Sequence, residues 1–158
     1  MSNDGIKIRG MYRLHIVDHP DTDDMEIVGD SGWQENTVVN LGFLNYLAGA
    51  LGAIANSSQV SYMALGTGAA PGAADTTLAN EVAVRTGVTA ASSADSKAVR
   101  FTATFTSAQS FVTTTMAISN IGLFRSVTVG TIFSGAAYAS SNVATNQNVN
   151  ATYDISFS

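Results

Sequence analysis

Asn148-Val149-Asn150-Ala151-Thr152-Tyr153-Asp154-Ile155-Ser156-Phe157-Ser158 closes the chain, and from Val149 to Phe157 every second residue is apolar or small while Asn, Thr, Asp and Ser fill the alternate positions. A period of two held over that length is a β-strand with one buried face and one wet face. The wet face is neutral and rich in hydroxyls and amides, where most soluble strands carry Lys and Glu. Such a face suits contact with another protein.

The same pattern recurs upstream. Val99, Phe101, Ala103 and Phe105 alternate with Arg100, Thr102 and Thr104, and Tyr12, Leu14 and Ile16 alternate with Arg13 and His15. The run Asp18-His19-Pro20-Asp21-Thr22-Asp23-Asp24 reads as a turn, and Met25 to Val28 as the returning strand of a hairpin. Further strands are expected over Val60 to Leu65, Thr113 to Ile118, Ile121 to Arg125 and Thr131 to Tyr138. The period changes after Asn36. Val38, Leu41, Leu44, Tyr46, Leu47 and Leu51 fall three or four apart, which predicts an amphipathic helix over about residues 37–50, capped by Asn36. Gly42, Gly49 and Gly52 each weaken it by about 1 kcal/mol relative to alanine, so it needs packing, and the glycines let it lie close against a sheet.

Strands outnumber helices and follow one another through short Gly, Ser and Asn turns. The expected fold is therefore mainly β, an antiparallel β-sandwich or jelly-roll-like domain over residues 10–158 with one covering helix. Residues 1–9, with Ile6 and Ile8 flanked by Lys7 and Arg9, read as an edge strand or as an N-terminal arm that orders on a partner.

Composition narrows the function. Charged residues are 12% of the 158 and hydrophobic residues 46%, enough for a core, so the scarcity of charge does not signal disorder. The formal charge of −5 comes from the first 35 residues, where Asp4, Asp18, Asp21, Asp23, Asp24, Glu26, Asp30 and Glu35 face Lys7, Arg9 and Arg13. The remainder is neutral. Without a basic stripe, nucleic-acid binding has no footprint. No window reaches the roughly 18 apolar residues of a membrane span, and Met1 to Gly5 do not open a secretion signal, so a product of the cytoplasm with no membrane contact is expected. Cysteine is absent, which removes disulfides, thiolate nucleophiles and Cys-held metals.

Chemistry finds few candidates. Asp21, Asp23, Asp24 and Glu26 could present oxygens to a hard cation, but the turn lacks a central glycine and a closing bidentate acid, and solvated carboxylates are the commoner reading. His15 and His19 would not share a face of a strand and turn. Gly66-Thr67-Gly68 has neither the lysine of a phosphate loop nor a third glycine at dinucleotide spacing, and reads as a tight connection. Asp75 to Val82 reads as a short capped helix or a turn. No Gly-x-Ser-x-Gly elbow exists. The sequence therefore predicts no enzyme and no cofactor. Trp33 is either an interface anchor or a lid on the helix start.

The order of motifs carries a resemblance. Trp33 to Gly42, Met63-Ala64-Leu65-Gly66-Thr67-Gly68 with Pro71, Asp75 to Glu81 with Arg85, Val99 to Phe105, Ile118-Ser119-Asn120-Ile121-Gly122-Leu123-Phe124, Gly130-Thr131-Ile132-Phe133 and the alternating close together resemble small virion structural proteins of tailed bacteriophages. Asn120 departs from the pattern, which has an acid before Ile-Gly-Leu-Phe. The resemblance implies a capsid decoration (cement) protein, a homotrimer clamping major capsid subunits from outside the head, or alternatively a tail-associated fibre, tip or baseplate component. Its expected contacts are Ile6, Lys7, Ile8, Arg9, Trp33, Leu123 and Phe124, the last two either at a subunit contact or in the core. Other virion proteins are its partners in either case. A carbohydrate-binding sandwich is a third reading, with one Trp and five Tyr scattered in sequence to serve it.

Overall fold

The computed structural model describes residues 7–52, 58–92 and 97–158. Two antiparallel sheets pack face to face. The first runs in the order β2 (Glu26–Asp30), β1 (Ile8–Asp18), β11 (Asn148–Phe157), β8 (Ala98–Phe105) and β7 (Thr89–Ala91), with β3 (Gln34–Glu35) also on β1. The second runs β4 (Thr37–Val38), β10 (Ile132–Val143), β9 (Met116–Phe124), β5 (Tyr62–Gly66) and β6 (Thr86–Gly87). The fold is the expected β-sandwich.

The closing strand sits at the centre of the first sheet, paired with β1 on one side and β8 on the other, Tyr153 opposite both Tyr12 and Phe101. Its register is the one its alternation predicts. Val149, Ala151, Tyr153 and Ile155 are buried in the main core with Tyr12, Leu14 and Phe105, against Met63, Leu65, Ile121 and Leu123 of the second sheet. Tyr12 and Tyr153 stack at 6.0 Å, and Tyr138 packs 5.9 Å from Tyr12, so aromatic rings bridge the two layers.

The hairpin β1–β2 forms as expected, with Val17 opposite Ile27. Two other expectations, the strands over residues 113–125 and the helix start, are corrected, and two readings left open, for residues 75–82 and for the start of the chain, are decided. The strands expected over residues 113–118 and 121–125 are one strand, β9, because polar Ser119 and Asn120 lie within it rather than in a turn. Residues 75–82 form turns with an isolated bridge from Glu81 to Gly66, and no helix. The expected covering helix begins later, as a helical segment over residues 40–51 that is α-helical at both ends and π-helical over Phe43–Ala48. Thr37 and Val38 belong to β4, and the residue preceding the helix is Val39, with no side-chain cap. Asn36 instead turns inward against Gly10, where an added Cβ would meet its amide at 1.9 Å. Finally, Ile8 pairs with Phe157 and Arg9 with Ser156, while Lys7 and Ser158 exchange two backbone hydrogen bonds. Residues 7–9 are therefore strand rather than free arm; residues 1–6, Ile6 included, lie outside the described residues.

The helical segment covers one end of the sandwich through its small residues. A Cβ on Gly42 would lie 2.2 Å from the Phe133 carbonyl oxygen, so only glycine permits this approach. Tyr46 completes the contact, its ring tilted against that of Phe133 at 5.1 Å and its hydroxyl donating to the Thr131 carbonyl at 2.7 Å.

Candidate interaction surface

The two sheets differ in what covers their outer faces. Over the second sheet lies the connection from Thr67 to Arg85, which brings Leu78 onto Phe124, Ile132 and Ala64 together with Val39. Asn120, fully buried, fastens it: its amide nitrogen donates to the carbonyls of Ala69 at 3.1 Å and Ala79 at 2.9 Å. Ser119 adds a bond from its hydroxyl to the Gly68 carbonyl. The glycines of Gly66-Thr67-Gly68 serve this packing, since a Cβ on Gly68 would sit 2.5 Å from that of Ala79. Arg85 closes the far end, paired with Glu81, donating to the Ser126 carbonyl at 2.9 Å and stacked 3.6 Å over Phe124. Leu123 and Phe124 are consequently in the core, on opposite faces of β9, the core reading of the two given for them.

The first sheet's outer face is polar and, among the described residues, carries no covering connection like that over the second sheet. Its register places Arg13, Thr152, Thr102 and Thr89 in one row, His15, Asn150 and Thr104 in the next, and Met11, Asp154, Arg100 and Ala91 in a third. Thr104 donates to the Asn150 side chain at 2.9 Å and Arg100 grips Asp154 with two bonds, while Arg9, opposite Ser156, and Glu35, opposite Met11, make no ion pair among the described residues. Trp33 is 41% exposed and lies across this face, 5.7 Å from the Arg100 guanidinium, rather than over the helix start. Arg13 holds Asp30, and that pairing, with a bond from the Gly32 amide, keeps the Asp30 carboxyl well below the usual carboxylate range.

A third surface went unread in the sequence. The helical segment buries Gly42, Tyr46 and Gly49, but Phe43, Leu44 and Leu51 point outward, Leu51 at 91% exposure. From Asn36 to Ala74 the chain has no Asp, Glu, Lys, Arg or His. The signal was present as leucines on more than one side of a helix whose polar face holds only Asn and Gly.

Metal chemistry has no assembled site. Among the described residues, no three His, Cys, Asp or Glu side chains converge, and the turn carboxylates Asp21, Asp23 and Asp24 point to solvent with Glu26 beyond them on β2. His15 lies 3.5 Å from Asp30 and His19 3.7 Å from Asp18, apart from each other. No helix among the described residues is long and apolar enough to cross a membrane. No family model, curated protein or solved structure matches the chain.

Proposed function

We propose that this chain is a virion structural protein, a capsid decoration protein that binds the outside of an assembled head as a closed homo-oligomer, a trimer in the simplest case, and stabilises contacts between major capsid subunits. The observation that carries the reading is a pair of surfaces on one small sandwich that are poor in charge: a sheet face rich in Thr and Asn, on which Arg100 pairs with Asp154 and Arg13 with Asp30, and an apolar helical face. A protein repeated over a symmetric shell meets neighbours at every side, and unpaired charge buried in those contacts is costly. Short hydroxyl and amide side chains bond across an interface or to water with little rotamer entropy to lose. The resemblance in motif order points the same way.

Decoration works by mass action. A protein that binds the assembled shell better than its free subunits adds free energy that must be lost before the shell opens. The test is occupancy and protection together: hundreds of copies per particle, and heads that withstand heating or chelation better with the protein than without it. A dozen copies or fewer per particle, with no protection of the head, would move the protein to the tail. Truncation at residue 6, which spares the Lys7 and Ile8 pairing with β11, is the variant that asks whether an N-terminal arm contributes to retention.

A further inference from the structure

A hollow of about 300 Å³ opens where Thr67, just past β5, meets residues 80–83 and the loop over residues 110–116. Its floor is apolar, built on the buried side chains of Val82 and Phe111 with Met116 beside them. Around that floor stand Thr67, Asn80, Ser110 and Thr113, and none of these four side chains makes a hydrogen bond among the described residues. The walls are held without a ligand. The Thr67 amide donates to the Asn80 carbonyl at 3.1 Å and the Val82 amide to that of Leu65 at 2.9 Å, while the turn that ends at Ser110 is closed by a capping box between Thr106 and Gln109. Three non-glycine residues among those described have positive φ, and two of them, Asn80 at 48° and Ser110 at 51°, line this one hollow. Backbone held in that sparsely populated region clusters at ligand sites.

We propose that this hollow binds one uncharged carbohydrate residue, with its hydroxyls on Thr67, Asn80, Ser110 and Thr113 and its C–H face on the apolar floor. Charge and polarity together select that chemistry. Glu81 is the one ionisable side chain on the lining, and both its oxygens are taken by Arg85, so no charge is left over for an ion. The net charge of −5 further disfavours an anion. A purely apolar guest would strip water from four hydroxyl and amide groups and return no hydrogen bond. A sugar ring meets both demands, because its hydroxyls donate and accept as Ser, Thr and Asn side chains do, while its C–H groups are apolar. The volume lies at the small end of ligand pockets, about 300–1,000 Å³, and suits a single ring whose neighbours stay in solvent. Trp33, on the outer face of the first sheet, takes no part. The binding concerns the free chain and needs no particle, so it stands or falls separately from the virion reading.

The experiment is a two-dimensional amide NMR titration of the full chain with glucose, galactose, mannose and N-acetylglucosamine at millimolar concentrations, with cyclohexanol as the apolar control and sialic acid as the anionic one. At least one neutral sugar is expected to give saturable shifts confined to Thr67 and residues 80–83 and 110–116, and neither control to do so. The double variant Asn80→Gly, Ser110→Gly removes two of the four polar side chains, and glycine suits positive φ at both positions, so its spectrum is expected to stay native elsewhere. It should bind the sugar about tenfold more weakly or worse, the loss of two hydrogen bonds. Thr113→Val, at an exposed position, removes a third hydroxyl at nearly constant shape and is expected to weaken binding several-fold. Absence of shifts with all the neutral sugars overturns the proposal. So do equal shifts from cyclohexanol, which would make the hollow a nonspecific apolar one, and undiminished affinity in both variants.

Discussion

Asn120 stands where an acid was expected from the motif, and its surroundings explain why an amide fits there. Two carbonyl oxygens, of Ala69 and Ala79, converge on its nitrogen, and both of its N–H donors are used. A carboxylate there would set two buried acceptors against a charge with no donor in return. Asn120→Asp is expected to cost about 3 kcal/mol or more of stability at pH 7, in line with unpaired buried charge. Burial raises the folded-state pKa of such an acid above the unfolded value of about 3.9, so the penalty is small near pH 4 and grows as pH rises. Urea unfolding of the variant at both pH values checks the sign; equal losses at the two would mean that the carboxylate finds a donor and that the clamp is drawn wrongly. The oxygen of Asn120 is buried without a partner, and in this it resembles Asn36, whose amide occupies the space that the missing side chain of Gly10 leaves, beside the Tyr153 hydroxyl.

Strands were legible in the sequence where one face is dry and the other wet, and illegible where that difference vanishes. On β1, β8 and β11 the alternation survives in the burial of each residue, and register followed from it. On β9, from Asn120 to Phe124 every residue is buried, because the 67–85 connection covers the outer face; the pattern loses its period, and a strand split in two was the result. The helix start was misplaced because Asn36 has the chemistry of a cap but is spent against Gly10. The exposed apolar residues of the helical segment were missed because apolar residues at helical spacing were assigned to the core without asking how many the core could take. Two substitutions on β11 test the register as a unit. Ile155→Asp buries an unpaired carboxylate in the centre of the first sheet and is expected to prevent folding. Ser156→Asp, one residue on, faces outward opposite Arg9 and is expected to stay within about 0.5 kcal/mol of the parent. Soluble expression and thermal melting of the pair would show the reverse order if the strand were shifted by one residue.

At the scale of the whole molecule the two sheets meet through tyrosines, and that junction fixes how stability depends on pH. Tyr12 and Tyr153 come from the first sheet and Tyr138 from the second; Tyr12 donates to the Ala137 carbonyl at 2.9 Å, and the Tyr153 hydroxyl lies 2.7 Å from that of Ser134, which itself donates to the Thr37 carbonyl. Burial disfavours the phenolate at all three and pushes each above the ordinary phenol value of 10.0. The folded state therefore keeps protons that the unfolded chain gives up. The resulting stability is whole below about pH 10 and is lost as pH rises beyond it, at up to about 1.4 kcal/mol per pH unit for each tyrosine. Asp30 sets the acid side in the opposite sense. Its carboxyl is held down by Arg13 and Gly32, so its contribution is present above the unfolded carboxylate value and is lost as pH falls below that value towards the lowered folded-state one. Because this pair is exposed, that loss is the smaller of the two. Denaturant unfolding is thus expected to show a plateau across neutral pH and a steep alkaline edge, with the tyrosinate absorbance of these three, and of Tyr46, whose phenol burial also raises, appearing only as the fold is lost. If all five tyrosines ionised together near pH 10 while the circular dichroism stayed native, the rings would be open to water and the two sheets would not be joined as described.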